Sequence, residues 1–524
     1  MSNWIGYRWL AEYYGVEPVQ PFRFDSQLAK SRSTERVDGF VHEFYPAHFK
    51  PVDTLAGHMT FALKREGVHL EFLARLFNAI PAAELDAWVD VEPTGQYARR
   101  TGFFYEWLTD RRLAFGGVNV GNYINALDEN LYLTATHPEN NPRWRVRDNL
   151  PGTRDYCPLI YRTDKVRAAE TYDCGQHLRE LEVEYGEDLL IRSAVWLTVK
   201  ESLASFAIER EDKHIDRVKR FAAVMEKRCG HYANPLGEAA VTELQTEILG
   251  PKALRYGLRK SPVFVGEVDS TFASVVHYVA PHWDDTVPML AGLLSFADRT
   301  VGKSPIARAA VLSFGFVYIH PMADGNGRIS RFLINDVLRR DGAIPAPFIL
   351  PVSATIMSMA GNRRSYDQAM EVFSKPLMQH YQDQYRFGPE KIAEDGIRYN
   401  LYFNAYDDAR AAWRYLDLTE HVEYLAHVVD LTIDQEMRKE ATYLRSVRTA
   451  RAQIKEVIEG PDSDIDRIIR SLRDNEGKVS NKLRNDFPLL DDPEVGPEVA
   501  RIVQSAFTPL TNDEPDDPHT IRLE

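Results

Sequence analysis

Apolar residues recur at helical spacing over most of the chain. In HMTFALKREGVHLEFLARLFNAI (residues 58–80) they return every three or four positions, the pattern of amphipathic helices laid on a common core. Proline and asparagine interrupt this N-terminal pattern in THPENNPRWRVRDNLPG (136–152), which reads as a long ordered loop. A second apolar-periodic block runs from about Leu181 to Arg228 and contains ESLASFAIERE. Between Lys260 and Pro281 the helical period gives way to β-branched and turn-forming residues, and SPVFVGEVDSTFASVVHYVAP predicts a short hairpin. Ser304 and Pro305 then offer an N-cap and a first-turn proline before the apolar IARAAVLSFGFVYI, a buried helix ending at His320. The next helix starts near Gly327 and closes with Arg339, Arg340 and the capping Gly342. Beyond about Gly388, VEYLAHVVDLTID sets Val422, Leu425, Ala426, Val429 and Ile433 on one helical face. Further helices reach about Phe507, and the polar, acidic TPLTNDEPDDPHTIRLE reads as a disordered tail.

The expected fold is therefore mainly α and multi-domain. Its parts are a helical N-terminal region (1–180), a central domain (181–388), a C-terminal helical, winged-helix-like module (389–507) and the tail (508–524). A length of 524 residues supports this division, since single cores stop growing well below that size.

Composition narrows the function. A formal net charge of -14 argues against a surface devoted to nucleic acid. No stretch approaches the roughly 18 apolar residues of a membrane helix, and MSNWIGYRWL lacks the basic start and apolar run of a secretory leader. The sequence thus reads as cytoplasmic, with no membrane partner. Cys157, Cys174 and Cys229 are widely spaced and outside any C-x-x-C arrangement, so they are expected as buried thiols rather than as disulfide or zinc ligands.

The chemistry concentrates between two helices, in IHPMADGNGRISRF (319–332). A helix N-terminus presents unpaired N–H groups and a partial positive charge, and Gly325, Asn326 and Gly327 give the backbone freedom to form an anion nest there. Arg328 and Arg331, three apart, place two guanidinium groups for further phosphate oxygens. Asp324 would repel phosphate unless it held a divalent cation, which points to Mg²⁺. His320, near its reference pKa of about 6.5, is mostly neutral at pH 7 and suits a general base. A P-loop reading of VGKS (301–304) fails because Ala297 stands where the first glycine is required.

At HPMADGNGRISR the chain resembles the Fic family, whose motif is H-x-F-x-D/E-G-N-G/K-R-x-x-R; Met322 replaces the usual phenylalanine. The resemblance is clear from about Lys200 to Lys375. It implies a Fic core with a short β-hairpin flap, and transfer of AMP from ATP, with Mg²⁺, to a serine, threonine or tyrosine hydroxyl of a protein target. By position it implies His320 as general base and Asp324 as Mg²⁺ ligand. Gly325, Asn326 and Gly327 would form the anion nest, with Arg328 and Arg331 on the β- and γ-phosphates. The hairpin falls where family members dock a target segment by β-augmentation, which makes Val275, Val276, His277 and Tyr278 the expected docking residues. Tyr366 lies where the family often has a tyrosine near the nucleotide.

Ser205 and Glu209 are four apart on an expected helix and share a face. The resemblance implies more, because some family members carry an S/T-x-x-x-E-G/N helix whose glutamate occupies the second motif arginine. Glu209 would then pair with Arg331 and misplace ATP, although Arg210 stands where the family has glycine or asparagine. Transfer of another phosphate-containing group, or AMP removal with Glu209 positioning water, are alternatives within the family.

An alternative of another class lies near the C-terminus. Residues 438–484 hold 12 Lys/Arg against 8 Asp/Glu, an excess of four, and DIDRIIRSLRDNEGKVSNKLRNDFPLL fits a helix-turn-helix. DNA binding or a protein contact through this module is the corresponding expectation.

Overall fold

The computed structural model describes residues 3–37, 39–209, 215–232, 234–251, 255–268, 274–358 and 360–508. The expected tail lies, apart from Thr508, outside the described residues. The chain is mainly helical, with small sheets, and divides into two compact units. One joins Met1–Gly175 to Thr198–Leu431, and the other joins Gln176–Leu197 to Thr432–Glu524. These units cut across the expected stretches 1–180, 181–388 and 389–507.

The N-terminal part of the first unit is helical where the periodicity says so. Helices Leu55–Arg65, Leu70–Ala79 and Gln96–Thr109 bury Met59, Phe72, Phe77 and Phe104 in one core. The structure adds a four-stranded sheet, in the order Trp4–Ile5, Phe24–Leu28, Phe40–Tyr45, Ser33–Val37. Ser33–Val37 is exposed throughout, so it carries no alternation by which a strand could be recognised. The expected loop 136–152 also contains two short antiparallel strands, Glu139–Asn141 and Val146–Asp148.

Main-chain pairing binds this region to the rest of the unit. The Cys157 and Leu159 N–H groups donate to the carbonyls of Arg414 and Leu416, at 2.8 Å each, and the Leu418 N–H returns a bond to Leu159. Tyr156 wedges between helices further along: a Cβ at Gly292 or Gly315 would stand 2.6 Å from its side chain. Both glycines leave room for that ring.

The central part is built on helix α1 (Glu187–Ile208), of which the portion from Thr198 belongs to this unit, and on α2 (Glu238–Leu249). Strands β1 (Phe264–Val268) and β2 (Ser274–Val279) pair antiparallel as expected, with a register shift between Val265 and Gly266. Helix α3 (Trp283–Arg299) follows. Helix α4 (Pro305–Ile319) is capped by Ser304, whose hydroxyl accepts the Ala307 N–H at 3.3 Å. Helix α5 (Asn326–Arg340) packs on α4, burying Ile329, Phe332, Leu333 and Leu338, and Gly342 takes a φ of 75° just past its end. Helices α6 (Val352–Ser358) and α7 (Ala360–His380), a second hairpin of β3 (Tyr385–Ile392) and β4 (Arg398–Phe403), and α8 (Thr419–Leu431) complete the unit. Val422, Leu425 and Val429 of α8 are buried, and Ala426 is half-buried.

In the second unit, helices Arg438–Lys455, Asp462–Asp474, Asn481–Asp486 and Val495–Phe507 surround Ile454, Ile465, Ile469, Leu472, Leu483 and Val503. The turn after Asp474 contains Gly477 at φ 80°, as a helix-turn-helix requires, but the second helix has only 6 residues. No strand is present among the described residues of this unit, and the amphipathic helix Val495–Phe507 closes its described part. Among the described residues no helix is long and apolar enough to cross a membrane. All three cysteines are buried and free.

Candidate active site

His320 ends α4 in the left-handed conformation, φ 49° and ψ 55°. Its Nδ1–H donates to the Val317 carbonyl at 3.1 Å, which leaves Nε2 as the nitrogen with a lone pair. Burial, reinforced by the nearby Arg259 charge, lowers the His320 pKa to about 4, against the opposing pull of the Val317 bond, Glu209 and Asp324. The imidazole is thus held neutral more firmly than its ordinary value implies.

The loop to α5 closes on itself. Asn326 accepts the Met322 N–H through Oδ1 at 3.0 Å and donates to the Met322 carbonyl through Nδ2 at 2.8 Å. Its side chain therefore fixes the loop. Met322 is fully buried, as a residue replacing phenylalanine in a core should be. Gly325 caps α5 at φ 89°, a conformation that favours glycine. Gln245 on α2, fully buried, donates to the Asp324 carbonyl at 2.9 Å and accepts the Gly257 N–H at 2.8 Å.

The two motif arginines are both buried and both meet α1. Arg328 donates through Nη2 to Asp324 Oδ1 at 2.7 Å and lies 5.1 Å from the Phe206 ring centroid. Arg331 donates through Nε to the Ser205 hydroxyl at 2.7 Å, and through Nη2 to the Ser205 carbonyl at 3.0 Å and Glu209 Oε1 at 2.7 Å. Its Nη1 is buried with no hydrogen-bond partner among the described residues. The structure thus brings Ser205, Glu209 and Arg331 together.

Glu209 lies one residue past the end of α1 rather than on the helix itself, and residues 210–214, with Arg210, lie outside the described residues. Its carboxylate sits against the first turn of α5: a Cβ at Gly327 would be 2.0 Å from Glu209 Oε1. Any side chain at 327 would displace it. Burial pushes the Glu209 pKa up, but Arg331, with smaller help from Arg328 and His320, outweighs this and holds it below the usual carboxylate range. A carboxylate there also complements the helix N-terminus.

Of the hairpin residues, Val276 and Tyr278 are buried and Val275 and His277 exposed, the alternation of a strand with one face on the body. The Tyr278 hydroxyl donates to the Tyr318 carbonyl at 2.5 Å. Residues 269–273 lie outside the described residues. Tyr366 is half-buried on α7, where burial raises its pKa and Arg331 and Glu209 are the charges that act on it most.

The sequence reading missed three residues, Gln245, Glu201 and Arg259. Glu201, one turn before Ser205 on α1, accepts the Ser353 N–H and hydroxyl, both at 2.6 Å, and so ties α1 to the start of α6. Burial raises its pKa to about 7. The third, Arg259, donates to the His320 carbonyl at 2.7 Å. The only sequence trace of Glu201 is its spacing of four from Ser205; Gln245 and Arg259 leave none.

Comparison with known proteins matches residues 235–338 to the Fic/DOC family. The chain carries a Fic/DOC domain at these residues. It is 32% identical over 116 residues to protein adenylyltransferase fic-1 of Caenorhabditis briggsae, covering 21% of this chain and 20% of the relative. It is 26% identical over 166 residues to fic-1 of Caenorhabditis elegans, covering 30% of each. Protein adenylyltransferase Fic of Nematostella vectensis is 36% identical over 89 residues, 16% of this chain and 20% of the relative. The chain thus spans between a fifth and a third of the length of these relatives. Among solved structures, a Fic family protein from Desulfovibrio desulfuricans aligns with 61% of this chain and 90% of its own, at 17% identity and a TM-score of 0.37. The Fic match contains the hairpin and the His320–Arg331 junction; Ser205 and Glu209 precede it.

Proposed function

We propose that this Fic protein is a protein adenylyltransferase that moves AMP from ATP to a serine, threonine or tyrosine hydroxyl of a protein target, and that its own Glu209 restrains it. The single observation that carries the reading is Arg331, a buried cation with its Nη1 amino group unpartnered among the described residues and its Nε and Nη2 held by Ser205 and Glu209 beside a glycine-rich helix start. Relatives named protein adenylyltransferases support the choice of donor.

In this reading His320 Nε2 takes the proton of the target hydroxyl as its oxygen attacks the α-phosphorus of ATP. The bond to the bridging oxygen breaks and pyrophosphate leaves. The N–H groups at the start of α5, with Arg328 and Arg331, hold the phosphates in line, and this positioning supplies most of the rate. Asp324, 56% exposed, would hold Mg²⁺ as its one protein carboxylate; no group of three or more His, Cys, Asp or Glu suited to a metal occurs among the described residues. Such a site fits a cation that keeps waters and completes its shell from phosphate, and the cation would neutralise the phosphate oxygens. Glu209 restrains transfer by occupying both Arg331 and the first turn of α5, where phosphate would otherwise sit.

The test is incubation with α-³²P-ATP and Mg²⁺, comparing wild type, Glu209→Gly and Glu209→Gly/His320→Ala. Label should rise in the first variant and vanish in the second. An unlabelled Glu209→Gly protein that still binds ATP would reject AMP transfer, and UTP, CDP-choline and an AMP-modified protein would then be tried as substrates at the same site.

A further inference from the structure

The root of the hairpin and the histidine loop are joined by one side chain. Arg259 is 2% exposed, and its guanidinium donates to four main-chain carbonyls: His320 at 2.7 Å, Ser261 at 2.9 Å, Pro281 at 2.6 Å and, more weakly, Ile319 at 3.4 Å. Its own N–H donates to the Pro321 carbonyl at 2.9 Å, beside an antiparallel bridge between Leu258 and Met322. Ser261 precedes β1 by three positions and Pro281 follows β2 by two. Both roots of the hairpin and the carbonyl of the histidine are thus ligands of a single planar cation.

We infer that Arg259 is a positioning residue for the transfer reaction, setting the distance between the His320 base and the hairpin that would present the target hydroxyl. This rests on the function proposed above. A structural cation of this kind would ordinarily pair with a carboxylate, because burying an unpaired charge is costly. Among the described residues none forms an ion pair with Arg259; the cost is met by carbonyls that belong to the site. Burial lowers its pKa to about 10, so it stays charged at neutral pH.

The bonds fall where the backbone needs holding. His320 is one of four described non-glycine residues with positive φ, and such a conformation persists only where its surroundings over-determine it. Arg259 holds the His320 carbonyl on one side of the residue, and the Val317 carbonyl holds the ring on the other. The same cation also faces the imidazole electrostatically, together with Glu209 and Asp324, which act in the opposite sense. Asp395, from the turn between β3 and β4, reinforces the hairpin root by accepting the Lys260 N–H and the Ser261 hydroxyl at 2.8 Å each.

The experiment places Arg259→Met and Arg259→Lys in the Glu209→Gly background. Turnover of AMP transfer and the Kd for ATP are measured, with amide hydrogen exchange across residues 258–281 and 317–326. Arg259→Met should lower turnover by about 10²-fold, the scale of a misplacement near 1 Å, while ATP binds within about twofold of the parent. Arg259→Lys keeps the charge but not the planar fork, so it should restore little of the loss. Exchange should accelerate at the hairpin root and at Met322 together. Unchanged turnover, a parallel loss of ATP binding, full rescue by lysine, or faster exchange on one side only would overturn the inference. Should Arg259→Met fail to fold, Arg259→Lys carries the same comparison. If the Glu209→Gly parent transfers nothing, the proposed reaction has failed, and the exchange data alone decide whether Arg259 couples the two segments.

Discussion

Two regions rich in basic residues behave in opposite ways. At the Fic junction, Arg328 and Arg331 are buried, and Arg331 keeps a buried N–H group without a partner among the described residues. In the C-terminal unit, the basic excess of residues 438–484 is largely consumed within the unit. Arg438 pairs with Glu184, Arg451 with Asp466, Lys455 with Asp462, Arg467 with Asp486 and Arg484 with Asp491. Arg445 lies over Tyr185, and Arg473 over Tyr443 and Phe507. A charge surplus in a sequence is not a charge surplus on a surface. Buried donors at a helix N-terminus can leave an N–H group open to an anion, whereas cations spread along amphipathic helices find carboxylates and rings first.

The sharpest way to break this contrast is at the junction. In the Glu209→Gly background, His320→Ala should lower AMP transfer by roughly 10² to 10⁴-fold, read as label per minute, since a positioned base contributes on that scale. Glu209→Gly alone should raise transfer by about 10²-fold over wild type if the carboxylate misplaces ATP. Arg331→Ala should then erase most of that gain, so that the two substitutions are not additive. A smaller effect is expected at Glu201→Ala, which leaves the Ser353 N–H without its acceptor. It should cost about 1–3 kcal/mol in denaturant unfolding and raise basal transfer several-fold by loosening α1.

The acid limb of transfer supplies a further measurement. A His320 pKa lowered to about 4 keeps the base neutral as pH falls through its ordinary value, so the Glu209→Gly rate should stay flat to about pH 5 and decline only below that. A rate halved near pH 6.5 would contradict the burial of the ring. The smallest effect belongs to the C-terminal unit, where Lys478→Ala/Lys482→Ala should change stability by less than about 0.5 kcal/mol. In a salt titration the unmodified chain should bind duplex DNA no more tightly than a non-specific protein, at about 10⁻⁴ to 10⁻⁶ M. Nanomolar binding abolished by the double substitution would favour the helix-turn-helix reading.

Much of this was legible in order along the chain. Helices α4 and α5, their caps, the hairpin and the junction between them follow from local period and turn chemistry, because each depends on residues within a few positions of one another. The pairing of Glu209 with Arg331 was legible only through the family resemblance, as 122 positions separate them. The N-terminal sheet was not legible, because Ser33–Val37 has no buried face to impose alternation. Near the C-terminus, the apolar stripe of helix Val495–Phe507 closes a small core, which periodicity alone did not assign to a separate unit.

The sequence by itself determined the mainly helical class, the position of the candidate site and the types of group in it, since all three are properties of short segments. Only the tertiary structure decided which groups remain available. Asn326 is spent on its own loop, Arg328 on Asp324, and the C-terminal cations on neighbouring carboxylates, while Gln245, Glu201 and Arg259 enter the site from distant segments. Hydrogen bonds and ion pairs are settled by distance in space, and burial makes each buried polar group find a partner wherever the fold brings one within reach.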